Sequence, residues 1–137
     1  MYPPELVAPM KSELTDIGFQ QLTTVDDVNS ALGNTEGTTL VMVNSVCGCA
    51  AGNARPGVRM ALDHAKKPSN LTTVFAGVDR EATEQARSFM LPYPPSSPSI
   101  ALFKDGRLVH FVERHHIEGA TPELIADNLK GAFDEYC

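Results

Sequence analysis

The sequence predicts an α/β fold with a central mixed sheet and helices on both of its faces. Three observations carry this. Helix-like and strand-like segments alternate along the 137 residues. The run Thr38 to Val46 is almost continuously apolar and β-branched, as expected of a parallel strand buried on both faces. Two strand-like runs, Ser99 to Lys104 and Arg107 to Glu113, flank the hairpin turn Asp105-Gly106, which adds antiparallel strands at one side.

Taken in order, Met10, Leu14 and Ile17 recur at helical spacing until Gly18 stops them. Phe19 to Leu22 reads as a short strand. Thr24 supplies an N-cap with an acid three residues later, Val25, Val28 and Leu32 share the face of the helix that follows, and Gly33 ends it. After the long strand, a helix is expected beyond Cys49, carrying Val58, Met60, Ala61, Leu62 and Ala65. Pro56 kinks that helix or marks its true start. Leu71 to Val78 reads as a second buried strand, and Arg80 to Met90 as a helix with Ala82, Ala86 and Phe89 inward. A proline-rich loop, Leu91 to Pro98, leads to the hairpin. Thr121 and Pro122 open the last helix, whose apolar stripe is Ile125, Leu129, Ala132, Phe133 and Tyr136.

The length suits a single domain, residues 1–137, around one core. A net charge of −6 with no basic run argues against nucleic acid or an anionic membrane as the main partner. No apolar run approaches the ~20 residues of a membrane span. The N-terminal stretch has no basic n-region and no long apolar segment, so no signal peptide is expected and the cytoplasm is the expected location. Three cysteines are an odd count, which points to reactive thiols or metal ligation before a structural disulfide framework.

Two of the three, Cys47 and Cys49, flank Gly48 at the expected strand-to-helix junction. Open α/β sheets place ligands at the carboxyl ends of their strands. A helix N-terminus offers unpaired N–H groups and partial positive charge, both of which lower a nearby thiol pKa. Within a regular helix, side chains at i and i+2 point apart. The two sulfurs can therefore bond only if the chain leaves helical geometry, a freedom Gly48 supplies. A disulfide closed over so short a span is expected to be labile, the catalytic kind and not the structural kind.

The strand-Cys-x-Cys-helix junction resembles the strand-Cys-x-x-Cys-helix junction of thioredoxins, with one residue fewer between the thiols. The segment Pro98-Ser-Ile-Ala-Leu-Phe-Lys-Asp-Gly106 is similar to the one that carries their cis-proline into the next strand. The resemblance implies a thioredoxin-like fold and a cis Ser97–Pro98 bond facing the thiols. The sequence resembles the bacilliredoxins more closely still, through Asn44-Ser-Val-Cys-Gly-Cys-Ala-Ala-Gly-Asn-Ala-Arg-Pro-Gly57, the loop Pro95 to Ser99, and the ending Asn128 to Cys137. That resemblance implies a thiol-disulfide oxidoreductase that removes bacillithiol from mixed disulfides on proteins. Bacillithiol would be a co-substrate, and no cofactor would be required. Cys47 would be the nucleophile, and Cys49 or a second thiol would resolve the adduct. Disulfide isomerisation is a related reading.

The sequence departs from thioredoxins at Val46, where they carry tryptophan, and at Val41, roughly where they keep a buried aspartate. The helix terminus is then expected to do most of the activation of Cys47. Ser97, Pro98, Asn53 and Arg55 are candidate substrate contacts. Arg55, and with less support Arg59, could hold the malate carboxylates of bacillithiol.

A different class, a Cu(I) or Zn(II) carrier using the two thiols, suits soft ligands. A closed zinc site wants four ligands, and no second pair has ligand spacing, so no metal site is expected. His115 and His116 read as a strand end, where adjacent side chains face opposite ways. His64 and His110 are isolated. Cys137 is a free tail thiol, an intermolecular partner or a second resolving cysteine.

Overall fold

A computed structural model describes residues 2–33 and 36–137 of the chain. Five strands form one sheet in the order β1-β3-β2-β4-β5. They are β1 (Gln20–Gln21), β2 (Thr38–Asn44), β3 (Asn70–Phe75), β4 (Ser99–Lys104) and β5 (Arg107–Val112). Strands β1 and β2 flank β3 in parallel, β4 runs antiparallel to β2, and β5 runs antiparallel to β4. The sheet is therefore mixed, as the alternation and the hairpin require.

Strand β2 is central and buried along its whole length. Its side chains alternate between two cores. Leu40 and Met42 join one core, with Leu14, Val58, Ile125 and Phe133. Val41 and Val43 join the other, with Val28, Leu32, Ala82 and Ala86. The first layer is thus built by helices α1 (Pro4–Thr15), α3 (Arg55–Ala61) and α6 (Pro122–Tyr136), and the second by α2 (Val25–Leu32) and α4 (Arg80–Ser88). Two-sided burial explains why β2 reads as an unbroken apolar run.

Local chemistry sets the ends. The Thr24 side chain accepts from Asp27 N, and the Asp27 carboxylate accepts from Thr24 N, a reciprocal cap on α2. Pro56 does not open the helix: helical geometry already runs from Gly48, and the π-helical stretch Ala50–Ala54 lies just before the proline, where the hydrogen-bond ladder has to accommodate its missing N–H. Gly57 lets α3 approach α6: a Cβ there would lie 2.7 Å from Ile125 Cγ2.

Some boundaries differ from expectation. Strand β2 stops at Asn44, two residues before Val46, because Asn44 Oδ1 accepts from Ser45 N and turns the chain. Strand β3 stops at Phe75, three residues before Val78, and Gly77 there adopts a left-handed φ of 82°. The short strand at 19–22 pairs only at Gln20 and Gln21. Helix α3 ends at Ala61, so Leu62 and Ala65 lie beyond it.

The largest correction is at 114–117. Arg114–Ile117 forms a short helix, α5, and not the end of a strand. Glu113 and His116 cap it reciprocally, each side chain accepting from the other's backbone N–H. The His115 and His116 rings consequently lie side by side, with centroids 4.0 Å apart, instead of facing opposite ways. Their ring nitrogens and the Glu113 carboxylate gather within 4.8 Å. The reciprocal cap uses two of these three side chains.

Candidate active site

The chain leaves β2 at Asn44 and crosses Ser45 and Val46 to reach Cys47. It then enters a helical turn at Gly48, a π-helical stretch at Ala50–Ala54, and α3. Ser45 Oγ accepts from Cys47 N at 3.3 Å. The Cys47 carbonyl accepts from both Ala50 N and Ala51 N, so Cys47 sits at the mouth of the helix. Cys49 lies inside it, with φ −70° and ψ −23°. The two sulfurs are 2.6 Å apart, and both thiols are free. They meet because Cys47 precedes the helix, so the i, i+2 opposition of a regular helix does not bind it. Gly48 contributes no left-handed φ.

The electrostatics divide the pair. The Cys47 pKa is lowered, first by the hydrogen bond from the Cys49 thiol, then by the backbone N–H of Cys49, with smaller help from Arg114 and the backbone of Ala50. The Cys49 pKa is raised, first by burial, then by its hydrogen bond to Cys47 and by the Cys47 charge. Cys47 is thus poised as the thiolate and Cys49 as the protonated donor. The helix terminus contributes, as expected, but the neighbouring thiol contributes more.

Arg114, on α5, completes the arrangement. Its Nη2 donates to Cys47 Sγ at 3.4 Å, its Nη1 donates to the Ser97 carbonyl at 3.1 Å, and its Nε bonds Glu118 at 2.5 Å. The Ser97–Pro98 peptide is cis. A cleft of about 400 Å³ opens over Cys47, lined among others by Tyr2, Val46, Arg87, Ser97 and Arg114. No helix among the described residues is long and apolar enough to cross a membrane.

Residues 2–137 match the disulphide isomerase family model. The chain is 61% identical over 135 residues to a bacilliredoxin of Cytophaga hutchinsonii, covering 98% of this chain and 99% of that protein. It is 53% identical to a bacilliredoxin of Koribacter versatilis, covering 100% and 94%. The chain belongs to the bacilliredoxin family. Solved thioredoxins share its fold at low identity. That of Fasciola hepatica has a TM-score of 0.59 at 15% identity, covering 87% of this chain and 100% of that one. Mitochondrial thioredoxin 3 of Saccharomyces cerevisiae has a TM-score of 0.57 at 12% identity, covering 90% and 99%.

As a bacilliredoxin with a thioredoxin-like fold, the protein is a thiol-disulfide oxidoreductase. The structure brings Cys47 and Ser97 to one cleft, with Cys49 in contact with Cys47 and Pro98 buried next to Ser97. It does not bring Asn53 or Arg55 there, which corrects their expected place against a ligand. Asn53 Nδ2 donates to the carbonyls of Ile117 and Ala120, tying the π-helical stretch to the segment after α5. Arg55 is only 3% exposed; it donates to Asn44 Oδ1, the Ser45 carbonyl and Glu13. Arg55 thus braces the loop that leads to Cys47 from within the fold. Arg59 lines a separate pocket with Glu13 and Arg55.

Val41 is fully buried in the second core. Cys137 lies near Thr38, Lys66 and Lys104, at the opposite end of β2 from Cys47. Seven strand residues separate them by about 20 Å, so Cys137 cannot resolve a Cys47 adduct within one chain. Sequence reasoning missed Arg114 and Arg87. Neither has a spacing that points to Cys47; only the turn into α5 and the packing of α4 bring them there.

Proposed function

We propose that the protein removes bacillithiol from mixed disulfides on cytoplasmic proteins, with Cys47 as nucleophile and Cys49 as resolving thiol. The observation that carries this is the opposed tuning of two sulfurs 2.6 Å apart, of which Cys47 lines an open cleft. The names of the curated relatives support the choice of small thiol.

In the first step the Cys47 thiolate attacks the bacillithiol sulfur of the mixed disulfide. A Cys47–bacillithiol bond forms, the protein–bacillithiol bond breaks, and the client leaves as a thiolate that takes a proton from water. Bonding of Cys47 also removes its negative charge and its hydrogen bond, two of the three causes that hold the Cys49 pKa up. Cys49 is thereby released for the second step. It loses its proton to solvent, attacks Cys47 and expels bacillithiol as a thiolate. The Cys47–Cys49 disulfide that results holds the two electrons' worth of oxidation until an external thiol reductant restores it.

Intact-mass spectrometry tests this. Wild-type protein, Cys47→Ala and Cys49→Ala are each mixed with a bacillithiol-modified model protein. Cys49→Ala should gain one bacillithiol while the model protein loses it, and Cys47→Ala should do nothing. Absence of any adduct on Cys49→Ala would overturn the proposal. A second reading, disulfide isomerisation, is favoured by the description of the family model. It predicts instead that the protein reshuffles a scrambled disulfide substrate in the absence of any small thiol.

A further inference from the structure

Two arginines of independent origin face the cleft over Cys47: Arg114 from α5 and Arg87 from the last turn of α4. Among the described residues no carboxylate lines that cleft, in a chain whose net charge is −6. Arg114 is already engaged with Cys47, Ser97 and Glu118.

Arg87 is different. It is half-buried, and among the described residues only the Nη2 of its five N–H donors has a protein partner, the Ser96 carbonyl at 3.3 Å. Its Nε is buried and bonds nothing. No carboxylate lies within ion-pair distance of it among the described residues. Burial lowers its pKa, a desolvation cost for the cation that the Glu84 charge offsets only in part. Arg87 is also not among the groups that lower the Cys47 pKa. A partly desolvated guanidinium with open donors, in the same cleft as the Cys47 sulfur, matches the planar geometry of a carboxylate. The volume, about 400 Å³, suits a small molecule.

We infer that Arg87, with Arg114 at its side, forms a carboxylate-binding subsite that selects anionic low-molecular-weight thiols for attack by Cys47. This rests on the thiol-transfer reading above and names the residue that gives that reading its specificity. The occupant is the small-thiol half of the mixed disulfide, because it is the half whose sulfur bonds Cys47 and whose body must lie in the cleft. Arg87 is a specificity-determining residue. The sulfur chemistry needs only the two cysteines and their donors.

The test uses one carrier protein with a single cysteine, prepared as mixed disulfides with mercaptosuccinate (anionic), mercaptoethanol (neutral) and cysteamine (cationic). Intrinsic leaving-group reactivities differ, so the readout is the change in rate ratio between variants. Arg87→Gln should lower the mercaptosuccinate-to-cysteamine rate ratio by about tenfold, and Arg87→Lys should keep most of it. Raising the salt concentration should compress the wild-type ratio and affect Arg87→Gln less.

An unchanged ratio in Arg87→Gln would overturn the inference while leaving the oxidoreductase reading standing. Failure of wild type to attack any of the three would overturn that reading itself. In a further arm the carrier carries an acidic or a neutral residue beside its cysteine, with mercaptoethanol as the small thiol. If Arg87→Gln altered the rates only there, the carboxylate read by the cleft would belong to the client protein, and the inference would fall.

Discussion

Arg114 donates from Nη2 to the sulfur of Cys47 at 3.4 Å, although 67 residues separate them in sequence. The same guanidinium donates to the Ser97 carbonyl, so a single side chain ties the thiol to the loop that carries the cis-proline. The electrostatics of the Cys47 thiol and the placement of the loop are therefore coupled through one residue.

That coupling predicts a definite order of effects on pH dependence. In a Cys137→Ser background, alkylation of Cys47 by iodoacetamide should show its inflection below the ordinary thiol value of 9.0. A lowered pKa means more thiolate at a given pH, so reactivity appears at lower pH than for a free thiol. Cys49→Ala should raise the inflection most, because the Cys49 thiol is the largest cause. Arg114→Gln should raise it less. A larger effect from Arg114→Gln would contradict this ranking.

Arg55 should act on stability. Its guanidinium is buried and holds Asn44 and Ser45 in the loop that leads to Cys47. Arg55→Gln strands these acceptors and should cost about 2–4 kcal/mol in urea unfolding, with the slope unchanged. A change below about 0.5 kcal/mol would mean that the loop does not depend on these bonds.

The two glycines near the site should respond in opposite ways. A Cβ at Gly57 would crowd Ile125 and the Pro122 carbonyl, so Gly57→Ala should cost about 1–3 kcal/mol. Gly48 has open space around it and no left-handed φ, so Gly48→Ala should be neutral or gain about 0.4–1 kcal/mol. Thermal unfolding of the two variants side by side reads both; destabilisation by Gly48→Ala would show that the turn needs glycine after all.

Cys137 is at the far end of β2 from the thiol pair. Cys137→Ser should therefore retain turnover to within about twofold in a reductase assay, as expected for a chain terminus outside the site. A tenfold loss would show that the tail thiol takes part through a second molecule.

The sequence alone determined the α/β alternation, the two-sided burial of β2 and the hairpin. Each of these follows from local rules: side-chain period and turn residues. It also pointed to Cys47 and Cys49 as the candidate reactive pair, because thiols at a strand-to-helix junction are recognisable by position alone. It did not settle the role of Pro56, which lies inside a helical run that begins at Gly48. It misplaced His115 and His116, since nothing in the local pattern distinguished a short capped helix from a strand end.

Only the tertiary structure decided which arginines serve the site. Arg55, eight residues from Cys47, turned inward to satisfy Asn44 and Ser45, while Arg114 and Arg87, far away in sequence, came to the cleft. The reason is physical. Periodicity tells which face of an element is buried, but long polar side chains take their partners from whatever the packed elements bring near. Those partners, and hence the pKa values and charges around Cys47, exist only once β2, α4 and α5 have come together.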